Sequence, residues 1–128
     1  MSSDFHWIED LQTLLFVHLI EPKIAQIPIC IIYDYPKEQA ALAQINGPVA
    51  HRFELYINGV EIANGYQELQ SREDYQFRFN NELMKRKKLS KTTPLIDEQF
   101  LNELKDGGLP YCSGVAIGIE RLFSAKSL

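Results

Sequence analysis

The chain has 128 residues, of which 13 are basic and 17 acidic, and its formal net charge is −4. This length is typical of a single domain spanning residues 1–128, and an apolar content of 45% is sufficient for a hydrophobic core. The acidic balance argues against a dedicated nucleic-acid-binding protein, since such proteins usually carry a basic excess.

The sequence lacks the usual marks of secreted and membrane proteins. Cys30 and Cys112 lie far apart without metal-ligand spacing, and the N-terminus carries no basic stretch or signal-peptide cleavage site. The apolar run at residues 11–20 is too short to cross a bilayer and contains Gln12 and His18. We therefore expect a reduced, cytoplasmic protein that does not enter a membrane.

The first part of the chain predicts helices and one buried strand. Apolar residues recur at helical steps from Trp7 to His18, and Asp4 is a suitable cap for that helix. The β-branched run 27–33 is typical of a strand buried on both faces. The predicted elements, in chain order, are a helix ended by Pro22, a strand at 27–33, a turn at 34–36, a short alanine-rich helix at 37–44 and a turn at 46–48.

A β-hairpin around Asn58-Gly59 is the clearest prediction, because both residues tolerate the positive φ of a two-residue turn. In this register Ile57 faces Val60, Tyr56 faces Glu61 and Glu54 faces Ala63. Glu54 and Glu61 are then diagonal neighbours on one face, about 7–8 Å apart. Such a pair could bind Mg²⁺, which prefers oxygen ligands. Alternatively the face is exposed to solvent, with Glu54 paired to Arg52.

Glu68 requires one further assumption. A β-bulge at Asn64-Gly65 would return Glu68 to the face of Glu54 and Glu61, where it could pair with an ammonium group. Alternatively, Glu68 begins the following helix as an acid favoured by the helix dipole.

The second half predicts three helices, one of them capped by Asp97, and a strand. The elements are a polar helix at 72–88, a loop at 91–94, a helix capped by Asp97 and stopped by Gly107-Gly108, a strand at 111–119 and a helix at 120–125.

Small residues alternate along the last strand. Gly114, Ala116 and Gly118 leave one strand face nearly bare, which indicates the close approach of a packed helix or of a flat ligand. Arg121 follows at the helix entrance, where its guanidinium could bind phosphate oxygens or form a surface ion pair.

Together, these segments resemble the C-terminal part of the catalytic core of class II aminoacyl-tRNA synthetases, in the lysine branch. Residues 114–121 resemble the third signature motif of that class, and residues 52–54 and 61–69 resemble the lysine-enzyme segment between motifs 2 and 3. Residues 28–44 and 112–116 are similar to the shortened lysyl-tRNA synthetase paralogues that attach β-lysine to elongation factor P.

The resemblance implies an α+β fold, a partial class II core with a mostly antiparallel sheet flanked by helices. It implies an ATP-dependent ligase that activates lysine or β-lysine as an adenylate for transfer to elongation factor P, with tRNA as the alternative acceptor and a possible homodimer in the full-length enzyme. Arg121 is the implied catalytic residue, through the ATP phosphates. The implied ligands are Glu54 and Glu61 for Mg²⁺, Asn64, Glu68, Gly114 and Ala116 for the amino acid, and Glu54, Glu61, Gly118 and Arg121 for ATP.

Two parts of the family pattern are not found in these residues, namely motif 1 and the Phe-Arg-x-Glu loop of motif 2. We therefore expect that this polypeptide alone does not form an adenylate at an appreciable rate. A non-catalytic module that binds amino acid or nucleotide is the alternative. The basic run 85–88 could contact nucleic acid or an acidic protein, although such a run is more often the solvated end of a helix.

Overall fold

The structure, a computed structural model, describes residues 4–104 and 107–125, and side chains from residue 8 onward. The chain divides into two compact units, one within Met1–Gln67 and Ser113–Leu128 and the other within Glu68–Cys112. The predicted cap Asp4 and the predicted helix residue Trp7 have side chains outside the described ones.

The first unit is built on an antiparallel five-stranded sheet flanked by helices, which confirms the predicted α+β architecture. The strand order is β1-β3-β4-β5, and β2 pairs with β3. The strands are β1 (Ile29–Pro36), β2 (Ile45–Asn46), β3 (Val49–Ile57), β4 (Val60–Gln67) and β5 (Ser113–Ile117). The helices of this unit are α1 (Asp4–Leu15), a π-helical segment (Phe16–Ile20), α2 (Glu21–Ile24), a 3₁₀ turn (Lys37–Gln39) and α5 (Ile119–Ala125).

The N-terminal helix does not end at Pro22 as predicted. Pro22 lies in the first turn of α2, where a missing N–H leaves no hydrogen bond unmade. The π-helical segment Phe16–Ile20 connects α1 to α2, so helical structure continues to Ile24.

The first strand is not buried on both faces, so that prediction is wrong. Ile29, Ile31 and Tyr33 are 66%, 56% and 69% exposed, whereas Tyr35 is only 8% exposed. The predicted turn at 34–36 is replaced by an irregularity inside β1, where Asp34 has a φ of 58° and the pairing with β3 shifts. This shift brings Tyr35 opposite Ala50.

The alanine-rich segment forms only the 3₁₀ turn rather than the predicted helix over 37–44. Ala40, Ala43 and Ala50 pack with Tyr35 in a buried cluster. Ala41 has a φ of 49°, which a helix does not permit. Tertiary packing of small residues therefore outweighs the helix propensity of alanine here.

The hairpin turn is confirmed, but its register is only partly as predicted. Asn58 and Gly59 both have positive φ, Ile57 pairs with Val60, and Tyr56 pairs with Glu61. The register then shifts, so that Glu54 faces Asn64 and not Ala63. The bulge lies at Ile62 instead of Asn64-Gly65, because Ile62 is the residue of β4 that has no pairing partner on β3. The Ile62 side chain is buried, with 2% of the residue exposed.

The second unit contains α3 (Arg72–Lys88), with the predicted bounds, and α4 (Glu98–Glu103). Ser71 caps α3 by accepting from Asp74 N at 3.1 Å, and Asp97 caps α4 by accepting from Phe100 N at 2.9 Å. The rings of Tyr75, Phe79 and Phe100 form a cluster between the two helices.

Candidate functional site: a carboxylate pocket on the polar face of the sheet

Strand pairing in the first unit brings several predicted site residues into one row. Ala116 lies opposite Asn64, and Asn64 lies opposite Glu54. Residues directly opposite each other in an antiparallel pair project from the same face. The bare side of β5 and the Glu54 side of β3 therefore belong to one sheet face.

A second row runs parallel to the first. Gly114 lies opposite Tyr66, and Tyr66 lies opposite Arg52. Ala116 is exposed and Gly114 is half-buried. The part of β5 predicted to bind the amino acid therefore carries no bulky side chain and is accessible to solvent.

Glu54 is the buried carboxylate of this face, with 6% of the residue exposed. Its Oε2 accepts hydrogen bonds from the hydroxyls of Tyr35, at 2.7 Å, and of Tyr56. Its Oε1 accepts from Nη2 of Arg52, which also forms an ion pair with it. The predicted alternative of an Arg52–Glu54 pair is thus observed, but as a largely buried contact and not as a solvated one.

Arg52 connects three elements. Its Nη1 donates to the carbonyl oxygen of Gln39 at 2.8 Å, and its Nε donates to Oδ1 of Asn64 at 3.3 Å. Its guanidinium carbon lies 4.6 Å from the ring centroid of Tyr35, within the range of a cation–π contact. Arg52 therefore bridges the predicted metal ligand Glu54 and the predicted amino-acid ligand Asn64.

The hydroxyls of Tyr35 and Tyr56 remain hydrogen-bond donors to Glu54 at neutral pH. Burial, followed by the hydrogen bond to Glu54 and its charge, raises the pKa of Tyr35 well above the ordinary value of 10. The same causes raise the pKa of Tyr56. Both phenols thus stay protonated and donate hydrogen bonds to the Glu54 carboxylate.

Arg121 lies in α5, which follows β5, and its guanidinium lies beside Glu61. Its Nη1 donates to the backbone oxygen of Glu61 at 2.9 Å and lies 3.7 Å from Oε2 of the same residue. The Gly118 N–H donates to the oxygen of Ile62 at 2.8 Å, which ties the end of β5 to the bulge. A Cβ built on Gly118 would lie 3.4 Å from Cδ of Arg121, so the arginine stem lies against this glycine.

The carboxylates of Glu54 and Glu61 line one cavity of about 260 Å³. The other lining residues include Arg52, Tyr35 and Tyr56 from the sheet, and Gln12, Thr13, Phe16, Val17 and Glu21 from the N-terminal helices. Oε1 of Gln12 is buried without a hydrogen-bond partner among the described residues.

The N-terminal helix is joined to the sheet by polar contacts. Nε2 of Gln39 donates to the Glu9 oxygen at 3.0 Å and to Oγ1 of Thr13 at 3.2 Å. Nε2 of Gln12 donates to Oε2 of Glu38 at 3.1 Å, and this bond lowers the pKa of Glu38. Gln39 thus contacts both the helix and Arg52.

Glu68 belongs to the second unit, Glu68–Cys112, and two of its hydrogen bonds lie within that unit. Its N–H donates to the Cys112 oxygen at 3.0 Å, and its Oε2 accepts from the Tyr75 hydroxyl at 3.1 Å. Burial, followed by the charge of Glu68 and this hydrogen bond, raises the pKa of Tyr75. The role of Glu68 in binding an ammonium group stays a prediction.

Glu54 and Glu61 are the candidate metal ligands in this pocket. Within the described part of the chain, no group of three or more His, Cys, Asp or Glu residues is gathered for a metal ion. Oε1 of Glu54 accepts one hydrogen bond and keeps capacity for a second interaction, and Glu61 is half-exposed. This donor set suits Mg²⁺, which takes one or two carboxylates together with water and phosphate oxygens.

Sequence reasoning missed the groups that hold Glu54. The sequence places Tyr35 in a predicted turn at 34–36, and the hairpin pattern offers Arg52 as a solvent-exposed partner of Glu54. The one signal available was the Arg-x-Glu spacing of residues 52 and 54, which places both side chains on one strand face. The position of Tyr35 depends on the shift at Asp34, which no local pattern indicates.

Comparison with known proteins identifies the family of this chain. A sequence model described as "tRNA synthetases class II (D, K and N)" matches residues 12–125. The chain belongs to the class II tRNA synthetase family. The glycine-alternating strand β5 and Arg121 both lie within the matched range.

Relatives of this class II chain include three proteins named elongation factor P–(R)-β-lysine ligase. The protein of Vibrio cholerae is 45% identical over 117 residues, covering 89% of this chain and 36% of the relative. That of Mannheimia succiniciproducens is 40% identical over 120 residues, with 91% and 37% covered. That of Haemophilus influenzae is 42% identical over 125 residues, with 95% and 38% covered. The chain thus spans little more than a third of the length of these relatives.

The described helices of this class II chain differ from membrane-spanning helices. None within the described ranges, 4–104 and 107–125, combines the length and the apolar character that crossing a membrane requires.

Proposed function

We propose that these residues form part of an ATP-dependent ligase that activates lysine or β-lysine as an aminoacyl adenylate for transfer to elongation factor P. The single observation that carries the proposal is the row Ala116–Asn64–Glu54, with Glu61 beside it on the same sheet and Arg121 of α5 in contact with Glu61. The names of the relatives support the substrate and the acceptor.

The proposed adenylation step requires no covalent bond between the protein and the substrate. A carboxylate of the amino acid attacks the α-phosphorus of ATP, and pyrophosphate leaves with the bonding electrons. Positioning and neutralisation of charge dominate such a step. Mg²⁺, held by Glu54 and Glu61, would neutralise charge on the phosphates. Arg121 is exposed beside Glu61 and can turn its guanidinium toward phosphate oxygens.

The floor of the amino-acid site separates the two candidate substrates. Ala116 carries a methyl group on the exposed, otherwise bare face of β5. A methyl group there displaces the substrate backbone, which favours an amine in the shifted position of β-lysine. An Ala116→Gly variant should therefore bind α-lysine better relative to β-lysine, by about tenfold or more for one methyl-sized change.

Calorimetric titration of Mg²⁺–ATP, followed by lysine or (R)-β-lysine, tests the proposal on this chain. We expect ATP binding that weakens about tenfold or more in Glu61→Gln and in Arg121→Gln, since each removes one charged contact to the Mg²⁺–phosphate group. Arg86→Gln is the matched control, because Arg86 pairs with Glu82 on α3 at 2.9 Å. Equal ATP affinity in all four proteins would contradict the proposed site.

Pyrophosphate exchange tests the expectation that these residues alone do not turn over. The phosphate-binding arginine of motif 2 is not found in the sequence, so binding without exchange is expected. Robust exchange with lysine or β-lysine on the 128-residue chain would show that expectation to be wrong. Transfer to tRNA instead of elongation factor P, by an enzyme containing these residues, would favour the tRNA alternative.

A further inference from the structure

Arg52 is the most highly connected side chain of the pocket, and nothing in the proposed reaction assigns it a role. It donates to the Glu54 carboxylate, to Oδ1 of Asn64 and to the Gln39 carbonyl, and it stacks on Tyr35. Its side chain is only 15% exposed. An arginine with so many partners in so little solvent is fixed in orientation, because its planar fork matches them simultaneously.

The contact with Glu54 has an electrostatic consequence. A divalent cation that binds Oε1 of Glu54 shares that oxygen with the guanidinium of Arg52. Two cations close together repel strongly in a partly buried site. A nucleotide that carries the metal also brings negative phosphates, which cancel this repulsion, whereas a free metal ion does not.

We infer that Arg52 is a positioning residue that holds Glu54 and Asn64 as one unit and disfavours a free divalent cation at Glu54, so that the metal binds together with the nucleotide. Gln39 and Tyr35 hold Arg52 in turn, through a carbonyl at 2.8 Å and a ring at 4.6 Å. The inference rests on the proposed function, because it takes Glu54 and Glu61 as the metal ligands.

Binding of Mn²⁺ alone and of Mn²⁺–ATP, measured by calorimetry and by water-proton relaxation, tests this role without a catalytic assay. In the unmodified chain, free Mn²⁺ should bind much more weakly than Mn²⁺–ATP. Arg52→Gln should bind free Mn²⁺ about tenfold more tightly than the unmodified chain, since it removes the competing positive charge. Adding Glu61→Gln to Arg52→Gln should abolish the gain, which assigns the metal to this pocket.

Two controls separate charge from packing. Arg52→Lys keeps the positive charge and should retain weak binding of free Mn²⁺, and Arg86→Gln removes a charge elsewhere and should behave as the unmodified chain. Circular dichroism establishes that each variant is folded. Should Arg52→Gln not fold, Arg52→Met keeps an apolar stem against Tyr35 and replaces it in the comparison.

The possible failures are distinguishable. If the unmodified chain binds Mn²⁺–ATP but Arg52→Gln, or Arg52→Met in its place, binds free Mn²⁺ no better than the unmodified chain does, the role of Arg52 is wrong and the proposed function stands. If neither the unmodified chain nor any variant binds Mn²⁺–ATP, the proposed function fails and the role of Arg52 fails with it.

Discussion

Glu54 illustrates how one buried carboxylate is kept in place by its neighbours. With 6% of the residue exposed, an ionised carboxylate would be costly without partners. The guanidinium of Arg52 and the hydroxyls of Tyr35 and Tyr56 supply them. The sequence predicts the carboxylate and its approximate place, because the hairpin signal is local. It does not predict Tyr35, since that contact depends on pairing between distant strands.

The raised pKa values of Tyr35 and Tyr56 predict a loss of stability at high pH. Both phenols stay protonated in the folded chain above the ordinary tyrosine pKa of 10, whereas they ionise in the unfolded chain. Their contribution is therefore complete below pH 10 and declines as the pH rises further. Each phenol adds up to about 1.4 kcal/mol per pH unit to the slope.

Urea unfolding of Tyr35→Phe and Tyr56→Phe between about pH 7 and pH 11 measures this contribution. Each variant should be less stable than the unmodified chain near neutral pH, by about 1–3 kcal/mol, because a charged acceptor loses a donor. Above pH 10 the deficit should shrink, since the variant has no proton to lose. A deficit that stays constant with pH would contradict the raised pKa values.

At the level of elements, local signals and tertiary contacts decide different features. Helix α3, helix α4 and the turn at Asn58-Gly59 follow from caps and turn residues that lie next to one another in the sequence. The exposed face of β1 and the bulge at Ile62 follow from pairing and packing at a distance. The bulge matters most, because it brings Asn64 rather than Ala63 opposite Glu54.

Gly65 keeps strands β3, β4 and β5 close together. A Cβ at this position would lie 2.4 Å from the Phe53 ring and 2.9 Å from the Gly114 oxygen. Gly65→Ala should therefore lower the free energy of unfolding by about 1–3 kcal/mol through overpacking.

Urea unfolding compares this variant with Val115→Thr, which changes the exposed partner of Gly65 on β5. The threonine variant should stay within about 0.5 kcal/mol of the unmodified chain, because the side chain is exposed and remains β-branched. Equal stability of Gly65→Ala and the unmodified chain would show that the strands can separate without cost.

At the scale of the whole molecule, the sheet of the first unit has one polar and one apolar face. The apolar face carries exposed side chains on both outer strands, including Ile29, Ile31 and Tyr33 on β1 and Val115 and Ile117 on β5. Exposed apolar surface of this kind promotes association. We therefore expect the isolated chain to self-associate as its concentration rises.

Sedimentation velocity over a concentration series tests this expectation. The double variant Ile31→Thr/Tyr33→Thr should remain monomeric at concentrations where the unmodified chain associates. Leu95→Thr is the control, because Leu95 is 97% exposed but lies in the second unit. Association that persists in the double variant would place the contact on another surface.

The carboxylate pocket is the central claim, and paramagnetic mapping tests it most directly. Mn²⁺–ATP added to ¹⁵N-labelled chain broadens the amide signals of residues close to the metal. We predict that broadening concentrates at Glu54, Glu61, Asn64 and Gly118, and spares the basic end of α3 at 85–88. Broadening centred on residues 85–88, with the signals of Glu54 and Glu61 unchanged, would contradict the account.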